Sequence, residues 1–265
     1  MEIPENYLNT NRQAWNQRVE PHLQSELYDM DNFVAGATSL NSIELDLLGD
    51  VKDLNILHLQ CHFGQDSLSL ARMGAKVTGV DLSDTAIEKA RTLNTQLGLN
   101  AEFICCDVYD APNHINQQFD IVFTSYGTIG WLPDMDKWAG VISHFLKPGG
   151  RLVFVEFHPV VWMFDDNFER VSYNYFNTET IVETTDGTYA DRNAPIKTET
   201  VGWNHDLGEV IGALISKGLI VESFKEYDYS PYNVFRDMEQ VGEKQYRLKK
   251  IGNKLPMVYS IVCKK

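Results

Sequence analysis

The stretch Asn55–Asp81, NILHLQCHFGQDSLSLARMGAKVTGVD, constrains the fold of this chain more than any other. An apolar run (Ile56, Leu57, Leu59) enters a turn at Gln60–Gly64, a helix-like segment follows, and a second apolar run (Val77, Gly79, Val80) ends in Asp81. That is the pattern of a β-α-β unit opening a nucleotide-binding sheet. From the turn to the acid is about 20 residues, the distance at which a carboxylate at the tip of the second strand meets a ribose held over the first turn. The ligand site is therefore expected here.

A dinucleotide pyrophosphate needs several glycines for close backbone approach, and this turn keeps only Gly64. The run Ile56-Leu57-His58-Leu59-Gln60-Cys61-His62-Phe63-Gly64 resembles instead motif I of the class I S-adenosylmethionine-dependent methyltransferases, hydrophobic-Asp-hydrophobic-Gly-x-Gly-x-Gly. His58 stands at the family's acidic position, Gln60 and His62 stand at its first two glycines, and Gly64 matches the third. The resemblance implies S-adenosyl-L-methionine as cofactor, with S-adenosyl-L-homocysteine as product. It implies contacts from Gln60, Cys61, His62 and Gly64, and from Asp81 and Leu82 at the ribose.

Further strings agree in order and spacing. Ser83 can cap a helix, Thr85 and Glu88 have capping-box spacing, and Ala86, Ala90, Leu93 and Leu97 fall on one face. A strand over Ala101–Cys106 delivers Asp107-Val108, where the family typically binds the adenine amino group with the acid and covers the ring with the apolar side chain. Phe119–Gly127 is similar to the family's fourth strand, which puts Ser125 and Tyr126 at the carboxyl end, where open α/β sheets bind ligands. Trp138, Val141, Ile142 and Phe145 have the spacing of a buried helix face, and Phe145-Leu146-Lys147-Pro148-Gly149-Gly150-Arg151-Leu152 closely resembles the family's LKPGG signature before strand five, Arg151–Glu156. The resemblance thus implies an α/β fold: a Rossmann-like sheet of seven strands, mostly parallel with an antiparallel last strand, helices on both faces and a lid insertion.

The remaining segments fit one domain over residues 1–265. Residues 1–48 form an N-terminal helical cap, in which Leu8, Trp15 and Val19 line one helix face and Tyr28 is the expected cofactor contact. An equal alternative is a helix that simply packs on the sheet. Ser42–Leu48 is a short amphipathic element, and residues 49–156 are the cofactor-binding core. Residues 157–204, rich in aromatics among Thr, Asn and Asp with alternation at Thr180–Glu183, read as a substrate lid. Residues 205–265 complete the core: a helix with Leu207, Val210, Ile211, Leu214 and Ile215 on its buried face, a strand at Leu219–Tyr227 and a last strand at Met257–Cys263.

In-line displacement on a sulfonium methyl group needs a base only when the acceptor arrives protonated. Candidates are His158 after strand five and His205 before the next helix. Tyr126 and Trp131 are placed to shape a methyl channel, with Trp162 and Trp203 as lid walls. Each has an ordinary alternative: His158 precedes Pro159 and can cap a strand end, Asp206 is a natural helix N-cap, and the tryptophans can be lid core. His58, Cys61 and His62 could suggest zinc, but His58 and Cys61 point to different faces of a strand and no second ligand pair matches them, so no metal is expected. Net charge is −14 with pI near 4.9, which argues against a nucleic-acid surface and favours a small-molecule substrate. No apolar run approaches a bilayer span and no leader is expected at the start, so the chain reads as cytoplasmic, with Cys61, Cys105, Cys106 and Cys263 as free thiols, and as a monomer or homodimer. Competing functions are another S-adenosylmethionine group transfer such as carboxyl or aminopropyl transfer, a non-catalytic cofactor-binding module, and, last, a nicotinamide dehydrogenase. The Asn/Asp-Pro-Pro-aromatic tetrapeptide of nucleic-acid amino-methyltransferases is absent after strand four, where the chain reads Ser125-Tyr126-Gly127-Thr128.

Overall fold

A computed structural model describes residues 2–265. Three helices lead in, α1 (Tyr7–Leu23), α2 (Met30–Val34) and α3 (Ser42–Leu48). Alternating strands and helices follow: β1 (Asn55–Leu59), α4 (Gln65–Arg72), β2 (Lys76–Asp81), α5 (Asp84–Gln96), β3 (Glu102–Cys105), β4 (Phe119–Ser125), α6 (Met135–Phe145) and β5 (Leu146–Phe157). After them come the hairpin β6 (Ile181–Asp186) and β7 (Lys197–Gly202), then α7 (Leu207–Ser216), β8 (Ile220–Tyr227), the hairpin β9 (Met238–Gly242) and β10 (Gln245–Leu248), and β11 (Val258–Lys264).

The main sheet has seven strands in the order β3-β2-β1-β4-β5-β11-β8. Strands β1 to β5 pair in parallel, whereas β11 is antiparallel to both β5 and β8. A strand that runs in the same sense as β5 needs a crossover of a dozen or more residues, which the segment with α7 supplies for β8. The final strand has no such helix and slots between β5 and β8 in the opposite sense. The order changes direction at β1 and β4, so their carboxyl ends open a crevice at the switch point.

Both faces of the sheet are covered, which is why the central strands are apolar on both sides. Ile56, Leu57, Leu59, Val122 and Phe123 are fully buried. On one face α6 and α7 cover the strands, with Trp138 wholly buried at 5.1 Å from Phe154 between ring centroids. On the other, α1, α3, α4 and α5 pack over Ile56, Val77 and Phe103. Trp138, Val141, Ile142 and Phe145 are all buried, as their spacing predicts. The α7 face is narrower than expected: Val210 and Leu214 are buried, but Ile215 is 56% exposed near the β8 edge.

Strand five also starts earlier than the sequence suggests. Extended pairing runs from Leu146 through the Lys147–Gly150 turn, with Gly149 at φ 78°. A Cβ on Gly150 would lie 3.0 Å from the carbonyl oxygens of Lys147 and Phe119, which requires glycine there. The β9–β10 hairpin has no counterpart in the sequence reading. Among the described residues no helix is long and apolar enough to cross a membrane.

Because Trp138 fills the α6–sheet interface without a hydrogen bond from its indole nitrogen, its loss is a pure packing loss. Trp138→Ala is expected to lower unfolding free energy by about 3–5 kcal/mol in urea denaturation.

Candidate active site

The carboxyl ends of β1, β2, β4 and β5 open into one cavity of about 1090 Å³, roofed by α1 and the β6–β7 hairpin and closed at one side by the loop before β9. That volume exceeds what a single drug-sized ligand needs. The roof is tied down by specific bonds: Asn11 Nδ2 donates to the Val201 carbonyl at 2.8 Å, and the Val201 N–H donates back to Asn11 Oδ1 at 2.9 Å. On its other side α1 meets α5, where Ser83 Oγ donates to Asn16 Oδ1 at 2.6 Å. The N-terminal segment is thus part of the cavity wall as well as packing on the sheet.

The turn after β1 adopts left-handed backbone at Gln60 (φ 55°), His62 (φ 51°) and Gly64 (φ 81°). These are the three positions at which the resembled motif carries glycine. Two side chains therefore sit on a backbone course that favours glycine, at roughly 1–2 kcal/mol each. Gly64 has no such freedom, since a Cβ there would lie 2.7 Å from the Phe103 ring. Gln60 is held by Nε2 donating to the Thr128 carbonyl at 2.7 Å, and His62 Nε2 lies 3.0 Å from His22 Nδ1. Burial pushes both imidazoles down, His22 to about 3 and His62 well below the ordinary value.

Asp81 ends β2 at the cavity wall, only 9% exposed. One of its oxygens accepts from the His62 N–H at 2.7 Å, the other from the Ser83 N–H at 2.8 Å, so it joins the first turn to the start of α5. Burial raises its pKa to about 6 against the pull of those amides. The helix cap itself is Ser83, whose Oγ accepts from the Ala86 N–H at 3.0 Å. Leu82, Asp107 and Val108 line the same end, with Val108 4% exposed. Ser125 Oγ donates to Asp66 Oδ2 at 3.4 Å.

Tyr126 follows at φ 44°, its hydroxyl donating to Glu44 Oε2 at 2.9 Å and its ring edge-on to Tyr232 at 5.1 Å. Behind it lies Glu156, buried, with its carboxylate filled by the N–H groups of Gly127, Thr128 (2.7 Å) and Phe157 (2.7 Å) and by the Thr128 hydroxyl (2.9 Å). Trp131 Nε1 donates to the Gly127 carbonyl at 2.7 Å and Trp162 stands edge-on to Phe157 at 5.6 Å. Trp203 is nearly buried, its Nε1 on Thr180 Oγ1 at 3.1 Å, and it reaches the cavity beneath Gly130.

Every cofactor, channel, lid or base candidate from the sequence lines this cavity except His158. His158 Nδ1 accepts from the Val160 N–H at 3.2 Å, which leaves Nε2 to donate to Glu226 at 3.0 Å, on the side of β8. Its position corrects the expectation of a base: the ring caps the strand end. His205 reaches the wall, but Nε2 donates to the Leu132 carbonyl at 2.7 Å and Nδ1 meets Glu209 at 2.9 Å, so neither nitrogen is free for a ligand. Asp206 caps α7 through the Glu209 N–H at 2.9 Å. Tyr28 sits at the wall with its hydroxyl 2.5 Å from that of Tyr189.

The sequence reading overlooked Arg18, Glu44, Asp66, Glu156 and Tyr232. Glu156 carried a signal, a carboxylate closing an apolar strand as Asp81 does. The others come from segments whose position over the sheet no local pattern specifies. Arg18 is 7% exposed, lies over Trp15 and Trp131 at 5.1 and 5.6 Å, and makes one long bond, to Thr198 at 3.5 Å. Its Nε, together with Gln60 Oε1, His62 Nδ1 and His22 Nε2, is buried without a partner. Polar atoms left this way are costly unless a ligand completes them.

Two outcomes follow from this geometry. Gln60→Gly should unfold with about 1 kcal/mol more free energy than Gln60→Ala in urea, because both lose the amide bond and only the alanine keeps a Cβ at positive φ. Glu44 is wholly buried and its pKa is raised from 4.5 to about 7 by burial, with the nearby Asp66 adding to it. The folded chain then holds a proton between those values that the unfolded chain has lost. Its contribution is greatest below pH 4.5 and falls as pH rises through about 7. Relative to Glu44→Gln, the wild type should lose roughly 3 kcal/mol across that window in urea melts at a series of pH values.

Comparison with known proteins identifies the sheet and its first turn. Residues 56–150 match the family model described as "Methyltransferase domain". The chain is similar to the ubiquinone biosynthesis O-methyltransferase of Pseudoalteromonas translucida (strain TAC 125), 28% identical over 131 residues, which are 48% of this chain and 55% of that one. It is also similar to the protein of that name from Coxiella burnetii (strain Dugway 5J108-111), 34% identical over 104 residues, 39% of this chain and 44% of the relative. The chain thus spans about half the length of these curated relatives. Among solved structures, an S-adenosylmethionine-dependent methyltransferase from Mesorhizobium loti superimposes with a TM-score of 0.55 at 18% identity, over 88% of this chain and 100% of that one, and shows the same fold. Residues 56–150 are thus similar in sequence to a methyltransferase domain, and the sheet they belong to has the fold of a solved S-adenosylmethionine-dependent methyltransferase.

Proposed function

We propose that this chain is an enzyme that moves the methyl group of S-adenosyl-L-methionine to a nucleophile on a small molecule by in-line displacement. The observation that carries the reading is the set of buried polar atoms without partners in the roof and the first turn: Arg18 Nε for a carboxylate, and Gln60 Oε1 for an ammonium group. A zwitterionic amino-acid end satisfies both at once. The remaining wall suits the nucleoside end of the same molecule. Asp81 has lone pairs beyond its two amide bonds for ribose hydroxyls, and Asp107 and Val108, which line the same end, are taken to meet the adenine edge and face. The similarity to proteins that are themselves methyltransferases supports the same cofactor.

When bound, the cofactor supplies an electrophilic methyl carbon. The chain's share is to hold donor and acceptor in line and keep water out, worth on the order of 7–11 kcal/mol when orientation is good. In this reading Gln60, Cys61, His62, Gly64, Leu82 and Ser125 shape the cofactor's bed, and Tyr28 and Trp131 close it from α1 and the β4 loop. Residues 1–48 and 157–204, with Trp162 and Trp203, act as roof and lid over the core of residues 49–156, and residues 205–265 complete the sheet. We take the setting to be cytoplasmic and reducing, which suits the four free cysteines, with small molecules rather than nucleic acid as partners and a monomer or homodimer as the working unit.

Calorimetry with S-adenosylmethionine and S-adenosylhomocysteine tests this directly. Micromolar binding is expected in the wild type, weakened roughly tenfold or more in Arg18→Gln and in Asp81→Ala as charge-assisted hydrogen bonds are lost. Absence of binding at millimolar concentration would refute the proposal.

A further inference from the structure

The acceptor side of the cavity has its own polar corner, set apart from the roof cluster. Tyr126 donates its hydroxyl proton to Glu44 at 2.9 Å, so its oxygen keeps a lone pair toward the cavity. Tyr232, edge-on beside it, accepts from Asn41 Nδ2 at 2.8 Å and keeps its own proton unspent. The two phenols therefore present one acceptor and one donor side by side, which is what a hydroxyl group needs. Phe157 flanks Tyr126 at 5.6 Å, and Trp162 and Phe235 stand at 5.6 and 5.4 Å from Phe157. Those rings give the cavity an aromatic wall beside the two phenols, suited to a flat aromatic body.

Tyr126 is held in the left-handed region at φ 44° by its N–H on the Val155 carbonyl at 2.7 Å, and Gly127 follows at φ 71°. Strain of this kind, kept by surrounding bonds, marks positions where a side chain is aimed for use. Glu44 is fully buried behind Tyr126, and its other oxygen takes the N–H and Nδ2 of Asn41. Among the described residues its only other hydrogen-bond donor is Asn41, whose amides do not titrate, so Tyr126 is the one acidic group bonded to it.

We propose that the methyl acceptor is an aromatic hydroxyl compound, and that its hydroxyl proton leaves through Tyr126 Oη to the Glu44 carboxylate as the methyl group is transferred. The proposal rests on the methyl-transfer reading above and specifies its acceptor atom. A carbon–oxygen bond forms and the carbon–sulfur bond breaks, its electron pair staying on sulfur. The acceptor proton passes to Tyr126 oxygen while the tyrosine proton passes to Glu44, so the phenol is neutral before and after. Tyr126 is the catalytic residue, and Glu44 is a positioning residue that holds the proton behind it. A pKa near 7 suits that task at neutral pH.

Other groups face Glu44 and bear on its titration. They are Asp66 of α4, Tyr126 after β4, and Tyr229 and Tyr232 of the loop before β9. Lys244 of the β9–β10 turn acts on Asp66. Asp66 is the rival proton acceptor, but its oxygens already take the hydroxyls of Ser39 (2.6 Å) and Ser125 (3.4 Å).

The test uses the full chain, S-adenosylmethionine labelled in the methyl group, and two probes of like shape, catechol and thiophenol. Thiophenol is largely ionised at mildly alkaline pH and brings no proton to remove. Binding of S-adenosylhomocysteine is measured first, since its absence refutes the cofactor reading and not the proton route. With it bound, catechol should be methylated with a rate that rises through a midpoint near pH 7. Glu44→Gln and Tyr126→Phe should lower that rate about 100-fold or more and remove the limb, the scale of a lost general base. Thiophenol methylation should stay within a few-fold of wild type in Glu44→Gln. Glutamine at this position can still serve the Asn41 N–H as a helix-capping partner, so the variant is expected to fold. The proposal is overturned if neither probe is methylated, if thiophenol alone is, or if Glu44→Gln slows both probes equally. It is also overturned if the limb persists in Glu44→Gln, or if Asp66→Asn alone removes it.

Discussion

The buried carboxylate of Glu156 is the charge on which the cavity floor depends. It sits at the end of β5, 2% exposed, where an unpaired anion would cost several kcal/mol. Burial pushes its pKa up, and the amides of Gly127, Thr128 and Phe157 with the Thr128 hydroxyl pull it back. Those donors come from the loop after β4, so satisfying one charge dictates the course of that loop. Tyr126 and Gly127 take left-handed backbone, Trp131 folds back onto the Gly127 carbonyl, and the Thr128 carbonyl is turned to receive Gln60. Through that last bond the strand-four loop and the strand-one turn become one surface.

Asp81 repeats the device on the other flank. Its two oxygens bind the amides of His62 and Ser83 and so lock the first turn to the start of α5. Two strand-end acids thus brace the crevice where the sheet order reverses. Gln60 and His62 tolerate positive φ because their side chains gain bonds to Thr128 and His22 that glycine could not make. The strain of the turn is offset by ties to the loop and to the roof.

The roof is assembled from distant parts of the chain. Helix α1 is held to the β6–β7 hairpin by Asn11 and Val201 and to α5 by Asn16 and Ser83. The loop before β9 contributes Tyr232 and Phe235, and α3 contributes Glu44. Together these elements enclose polar groups in a buried cavity, which is why so many ionisable side chains in the site are displaced from their ordinary protonation range.

Local sequence was enough to determine most of the strands and helices that build the sheet, and the resemblance to a known family supplied their arrangement with an antiparallel last strand. Apolar runs, a capping serine at Ser83, and the turn glycines Gly64, Gly149 and Gly150 act over a few residues, so they read directly as strands, helices and turns in order. The placement of Asp81, Asp107, Val108, Ser125 and Tyr126 at the crevice follows from the same register, since strand ends in this topology converge. Tertiary structure alone decided the rest. Whether Arg18, Glu44, Asp66 or Tyr232 reaches the cavity depends on how α1, α3 and the late hairpin pack, and whether His158 and His205 are free depends on partners at Glu226, Leu132 and Glu209. Those contacts join residues far apart in the chain, and a side chain's availability is set by what surrounds it in space, which no run of neighbours in sequence encodes.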